Sequence, residues 1–239
     1  KERLFKLTFF SPNITTQNRR PIKIVAVSDI HLGNGTGKTS LKQYVKMINE
    51  QNPDLILIGG DLIDNSVIPL YAENMAEELT ELKAPLGIYM VPGNHEYISG
   101  IDKSIQFIQN TPIQLLRDSV VTLPCGIQLI GRDDRSNARR LPLQKLMARI
   151  DKSKPVILLD HQPYQLAESQ AAGIDLQFSG HTHHGQVWPM NWVTNHLYEQ
   201  SHGYRQWENS HIYVSSGLSL WGPPFRIGTE SEMVVLQLH

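Results

Sequence analysis

The chain is short of cysteine, of long apolar runs and of net charge, and each shortage removes a class of function. A single cysteine, Cys125, excludes an intrachain disulfide and any cluster of thiolate metal ligands. It sits in the turn-like Leu123-Pro124-Cys125-Gly126 and reads as a structural bystander. No run approaches the roughly 18 consecutive apolar residues that a bilayer-spanning helix needs. With 22 Lys and Arg against 23 Asp and Glu, the formal net charge is -1. That lacks the basic surplus expected of a nucleic-acid partner. No repeat, low-complexity tract or linker-like shift in composition interrupts the 239 residues. One domain over residues 1–239, with a sizeable core, is therefore expected.

What is present begins with punctuated strands. Ile22 to Val27 is almost wholly apolar, as in a strand covered on both faces. It runs into Ser28-Asp29-Ile30-His31-Leu32-Gly33. If the chain stays extended there, Asp29 and His31 project from one face, because side chains at i and i+2 do so. Thr39 or Ser40 can cap a helix carrying Leu41, Tyr44, Val45 and Ile48, which Asn52-Pro53 ends. Leu55 to Ile58 is a second apolar strand, stopped by Gly59-Gly60-Asp61. This strand–helix–strand order argues for a parallel, right-handed crossover.

Ile88 to Val91 stops at Pro92-Gly93-Asn94-His95, Val156 to Leu159 at Asp160-His161, and Leu176 to Phe178 at Ser179-Gly180-His181-Thr182-His183. Val120 to Leu123 and Ile127 to Ile130 read as a hairpin, and Ile212 to Val214 and Met233 to Leu236 complete the strands. Residues 1–20, with Leu4, Phe5, Leu7, Phe9 and Phe10 among basic residues, read as a strand leading into the fold; the alternative is a segment near a membrane surface. Residues 188–207 show no clear periodicity and read as an ordered loop of a length usually reserved for function. Their aromatic rings, with Trp221 and Phe225, are expected to pack over the core. The alternative is an apolar floor for a lipid or nucleoside.

The polar residues at strand ends are Asp29, His31, Asp61, Asn94, His95, His161, His181 and His183. Each fragment is unremarkable alone, since Asn and Gly favour turns for backbone reasons. Together, each directly after an apolar strand, they point to metal. Oxygen and imidazole donors without thiolate suit manganese, iron, zinc, nickel or cobalt, with manganese the first expectation. The donors outnumber what one ion commonly takes. Two ions sharing a carboxylate are expected, each carboxylate oxygen serving a different ion.

These blocks, Asp29-Ile30-His31, Gly59-Gly60-Asp61, Gly93-Asn94-His95-Glu96, His161-Gln162-Pro163 and Gly180-His181-Thr182-His183, resemble the calcineurin-like metallophosphoesterases. The stretch Gly180 to Gln186 is most similar to that family's bacterial, often membrane-associated branch of YkuE- and YaeI-like enzymes. The resemblance implies an α/β fold, a four-layer αββα sandwich of two mixed β-sheets flanked by helices. It implies that Asp29, His31, Asp61 and His183 hold one metal and that Asp61, Asn94, His161 and His181 hold the other. It implies that His95 is not a ligand but the catalytic acid for the leaving oxygen.

The implied reaction is hydrolysis of a phosphodiester or pyrophosphate bond by a metal-bridging hydroxide. Two divalent ions against Asp29, Asp61 and the hydroxide leave about one positive charge to attract a phosphate. Expected substrates are small phosphoesters, nucleotide sugars or phospholipids, with Arg132 or Arg135 and His184 as candidate contacts. A surface ion-pair cluster over Arg132-Asp133-Asp134-Arg135 is the favoured alternative for the arginines, and loop filler the equal alternative for His184. A UDP-2,3-diacylglucosamine pyrophosphohydrolase of lipid A synthesis is the alternative, although such relatives carry Arg where His95 stands. A mononuclear iron oxygenase would leave most of the donors unused. A non-catalytic scaffold is disfavoured because no signature ligand is missing. A first residue of Lys1, not Met, suits a processed form that lost a signal or anchor. The expected location is then membrane-associated or extracytoplasmic, and otherwise cytoplasmic.

Overall fold

The computed structural model describes residues 2–5 and 21–238. The expectations for Leu7, Phe9 and Phe10 lie outside these residues. The chain opens with β1 (Glu2–Phe5), β2 (Ile22–Val27), α1 (Lys38–Glu50) and β3 (Leu55–Ile58). It continues through α2 (Ile68–Ala72), α3 (Met75–Thr80), β4 (Ile88–Met90), α4 (Asn94–Ile98), α5 (Ile101–Ile108) and β5 (Ile113–Leu115). The second half comprises β6 (Ser119–Thr122), β7 (Gln128–Gly131), α6 (Leu143–Met147), β8 (Val156–Leu159), α7 (Leu166–Ala172) and β9 (Leu176–Ser179). A 3-10 turn at His183–Gly185 precedes α8 (Met190–Leu197), β10 (Gly203–Trp207), β11 (Ser210–Val214) and β12 (Met233–Leu238).

Two six-stranded mixed sheets result, in the orders β1-β12-β2-β3-β4-β5 and β10-β11-β9-β8-β7-β6. Within them β2, β3, β4 and β5 run parallel, as do β7, β8, β9 and β11. The strand alternation explains why the apolar runs are continuous. Ile24 and Ala26 of β2 face the second sheet with Leu57, Leu159 and Phe178, while Val25 and Val27 face outward against Leu41, Val45 and Ile48 of α1. On the far side, Ile130 and Leu158 pack under Leu143 and Leu146 of α6. Each inner strand is buried on both faces, so neither face reads as polar. The four-layer sandwich follows.

Two local expectations need correcting. Helix α1 begins at Lys38 with Gly37 as its cap, so Thr39 and Ser40 lie inside the first turn. The remote Glu73 carboxylate accepts from the Lys38 N–H at 2.8 Å, supplying the acceptor that a local Ser or Thr would have offered. Residues 188–207 are not a loop: they hold α8 and β10. No residue of α8 is buried, and an unburied helix leaves no apolar stripe for periodicity to reveal.

Candidate metal centre

The parallel strands β2, β3, β4, β8 and β9 all deliver their C-terminal ends to one edge of the sandwich. Strand β2 has already ended at Val27 when the chain reaches the site, and Asp29 and His31 take left-handed φ values of 55° and 48°. Their proximity therefore comes from a coiled loop, not from strand alternation as the sequence suggested. Asp61, His181 and His183 are also left-handed, at φ 52°, 72° and 48°. Such backbone costs about 1–3 kcal/mol per residue and persists only where surroundings impose it. Here they do: Asp29 N–H donates to Gly60 O at 3.0 Å, His31 N–H to Asp61 O at 3.0 Å, and His181 N–H to Asp29 Oδ1 at 3.0 Å. Close approach also needs glycine. A Cβ on Gly93 would collide with the Asp61 carboxylate, and one on Gly180 with Ser28 and Asp29.

The side chains gather into two adjoining sets. In the first, His31 Nε2 is 3.0 Å from His183 Nε2, which is 3.4 Å from Asp29 Oδ1. In the second, His161 Nε2 lies 3.0 Å from Asp61 Oδ2 and 3.2 Å from Asn94 Oδ1, and His181 Nδ1 lies 2.9 Å from Asn94 Oδ1. Neighbouring donors around an ion at about 2.1 Å stand roughly 3.0–3.4 Å apart, so both sets fit a divalent cation. Asp61 Oδ2 is also 3.9 Å from His31 Nε2 and so faces both sets. Asp61 Oδ1 instead accepts the His95 N–H at 2.9 Å. The expectation of one carboxylate oxygen per ion is thus corrected: a single oxygen lies between the sets.

Burial and charge prepare these groups. Burial opposes ionisation of Asp61, but the His161 imidazole beside it prevails and holds the carboxyl well below the usual range. His161 rises in return: burial lowers it, and the Asp61 carboxylate outweighs that. Its Nδ1–H donates to Gly59 O at 2.8 Å, which reserves Nε2 for the site. His181 is pushed down to about 4 by burial and then by His161, and His183 falls well below its ordinary value through burial, His31 and Arg226. Neutral imidazoles with free lone pairs are what metal ligation requires, and His181 and His183 meet that. Burial lowers His31 and His161, but the carboxylates beside them outweigh it, so both would release a proton on ligation. Asp29 is raised by burial in spite of His161.

A third group, His31, Asp64 and His95, is also close enough to bind an ion. Hydrogen bonding explains it better. His95 Nδ1–H donates to Asp64 O at 3.0 Å, and the Asp64 Oδ1 lies 3.3 Å from that nitrogen and 3.5 Å from His31 Nδ1. A nitrogen that donates its proton cannot also ligate. Asp64 thereby sets the His95 ring so that its Nε2 points away from Asp64. The Asp64 carboxylate only stands near His31 Nδ1, which makes no hydrogen bond among the described residues. His95 lines a cavity of about 820 Å³ with His31, Asn94 and Trp221.

The calcineurin-like phosphoesterase profile matches residues 22–185, a span that carries every one of these donors. The chain belongs to that family. An uncharacterized metallophosphoesterase of Helicobacter pylori strain J99 is 35% identical over 92% of the chain and 60% of its own length. The metallophosphoesterase YkuE of Bacillus subtilis is 29% identical over 90% of the chain and 78% of its own. The zebrafish transmembrane protein with metallophosphoesterase domain is 33% identical over 91% and 53%. The chain thus spans about 60% of the length of the Helicobacter relative. Among solved structures, Haemophilus influenzae NAD nucleotidase superposes with a TM-score of 0.54 at 13% identity, over 81% of this chain and 50% of that one. A 5'-nucleotidase precursor from Thermus thermophilus gives 0.50 at 14%, over 91% and 55%. At such identities they speak for the shared calcineurin-like fold.

Within this calcineurin-like site, the seven proposed ligands and His95 come together, and the expected substrate contacts do not. Arg132 is buried, with Nη1 on Asp160 Oδ2 at 3.2 Å and Nη2 on Leu141 O at 3.3 Å. Its guanidinium ties the β7 and β8 ends together, because the buried Asp160 demands a partner. Arg135 instead lies over the Tyr164 ring at 4.7 Å. His184 stacks on His202 with centroids 4.4 Å apart and does not line the cavity with His95. Glu96, Arg226 and Asp64 also build the site. The buried Glu96 carboxylate accepts from the N–H groups of Asp61, Ile63 and Gly93 at 3.0, 3.0 and 2.7 Å, locking two ligand loops together. Burial and the Asp61 charge push it up to about 7. Arg226 donates to His183 O at 3.0 Å from a distant loop. The run Gly60-Asp61-Leu62-Ile63-Asp64 placed Asp64 only three residues from a ligand, and that spacing was the available signal.

Proposed function

We propose that the protein is a metal-dependent phosphoester hydrolase acting on a phosphodiester or pyrophosphate bond. The observation that carries this is the pair of donor sets meeting at Asp61 Oδ2, beside a cavity lined by His95. Asp29, His31, Asp61 and His183 would hold one divalent ion and Asp61, Asn94, His161 and His181 the other, with manganese the first choice. When bound, two such ions supply an acidified water and Lewis-acid stabilisation of the phosphoryl oxygens.

The chain's own residues do the rest. Asn94 and His31 line the cavity beside His95, so a phosphate entering that cavity would lie next to the His95 ring. Asp64 holds His95 Nδ1–H, which leaves Nε2 to carry the proton for the departing oxygen. In the reaction a water oxygen bonds to phosphorus, one water proton is lost to solvent, and the P–O bond to the leaving alkoxide breaks. His95 gives its proton to that oxygen and recovers one from solvent. Trp221 lies 6.1 Å from the His95 ring and 6.4 Å from the His183 ring, and helps to wall off water. The expected result is turnover of bis(p-nitrophenyl) phosphate that EDTA abolishes and manganese restores. Turnover that survives complete chelation would overturn the reading.

A further inference from the structure

The expectation that the late aromatics pack over the core holds for Trp207, which lies against Leu166, Ile212 and Val214. It does not hold for Trp188, Trp192, Trp221 and Phe225, and what these form instead has a use. Trp188 is 55% exposed, Trp192 66%, Trp221 50%, Phe225 50% and Ile227 51%. They come from two segments tied side by side. Trp188 N–H donates to Ile227 O at 2.8 Å and Ile227 N–H to Gln186 O at 3.0 Å, while the Gln186 side chain donates to Trp221 O and Pro223 O. The Trp188 and Trp192 rings meet edge to face at 5.9 Å. Leu197 extends the same exposed helix.

The two segments that carry this surface are nearly free of charge, with Glu199 following directly on the first. Residues 186–198 contain no Asp, Glu, Lys or Arg, and residues 218–228 contain only Arg226. The Arg226 guanidinium is turned inward onto the carbonyls of His183, Ser216 and Ser219. A contiguous apolar patch with so little charge suits neither a nucleic acid nor a polar protein rim. Tryptophan with uncharged polar neighbours is the composition of a surface that sits at the boundary between headgroups and acyl chains. The patch is continuous with the cavity, because Trp221 both belongs to it and lines the wall beside His95.

We propose that this apolar rim enters the surface of a lipid bilayer, and that the phosphoester delivered to the cavity is carried by an amphiphile embedded there. The substrate half rests on the phosphoesterase reading above. Apolar chains then stay among lipid neighbours while only the phosphate crosses the rim to the ions. No carboxylate in either segment repels an anionic headgroup.

The test uses the manganese-loaded protein with phosphatidylcholine vesicles, with and without phosphatidylglycerol. Wild-type protein is expected to float with both vesicle types and to stay bound in high salt. The double variant Trp192→Glu/Leu197→Glu should lose at least about tenfold in partitioning. Independently of any variant, three of the four tryptophans lie in the rim, so vesicles should shift tryptophan emission to the blue, and brominated lipid should quench it. Protein that stays with the aqueous phase and shows unchanged emission would overturn the proposal. So would a rim found buried in a dimer that Trp192→Glu dissociates. Turnover of bis(p-nitrophenyl) phosphate by the same preparation reads the phosphoesterase assignment separately. Turnover without vesicle binding sinks the interface, and turnover with vesicle binding but no cleavage of the phosphoester of either vesicle phospholipid sinks the substrate half.

Discussion

The floor of the site and its rim are built on opposite principles. The floor consists of buried polar groups, each fixed by backbone or carboxylate partners: Asp29 by His181 N–H, Asp61 by His95 N–H, His161 by Gly59 O, and the loops by Glu96. The rim consists of exposed apolar groups on α8 and the 218–228 loop, where no residue of α8 is buried. The difference shows where this fold's constraint lies. The proposed two-ion reaction would tolerate little positional error, which suits a floor so over-determined that it even holds left-handed backbone in place. Substrate recognition needs no such precision, and the rim is free to present whatever surface the ligand demands.

The contrast can be broken by mutating each side and comparing the losses. His95→Ala should lower kcat on a diester with an alkoxide leaving group by about 10²-fold or more, the range of general acid catalysis. Its metal content should stay close to that of the wild type. Loss of metal in that variant would move His95 into the ligand set that Asp64 and His31 also approach. Glu96→Gln removes the carboxylate that three main-chain donors share and should weaken metal affinity by about 10- to 100-fold, as read by titration with a competing chelator. An unchanged affinity would show that the ligand loops hold themselves. Trp192→Ser should shift unfolding free energy by no more than about 0.5 kcal/mol, measured by urea denaturation. A larger loss would mean that the rim is part of the core after all.

The same contrast governs how much could be read from the sequence. The strands were legible because Ile24, Val25, Ala26 and Val27 are buried on both faces and leave an unbroken apolar run. The donors were legible because Asp61, Asn94, His161, His181 and His183 each follow directly on such a run. Glu96 and Asp64 were not, since their roles depend on main-chain groups and rings that only folding brings near. Arg132 stayed ambiguous because a basic residue just after a strand looks alike whether it meets substrate or an ion-pair partner such as the buried Asp160. Helix α8 was missed because none of its residues is buried, so it shows no core-facing stripe. In each case the sequence recorded burial well and partnership poorly.

The central claim is that the two donor sets hold two ions and meet at Asp61. Elemental analysis of the purified protein after manganese loading and desalting tests it most directly, with wild type and Asp61→Asn side by side. The account predicts about two ions per chain in the wild type and depletion of both in the variant. One ion per wild-type chain, or full occupancy in Asp61→Asn, would contradict it.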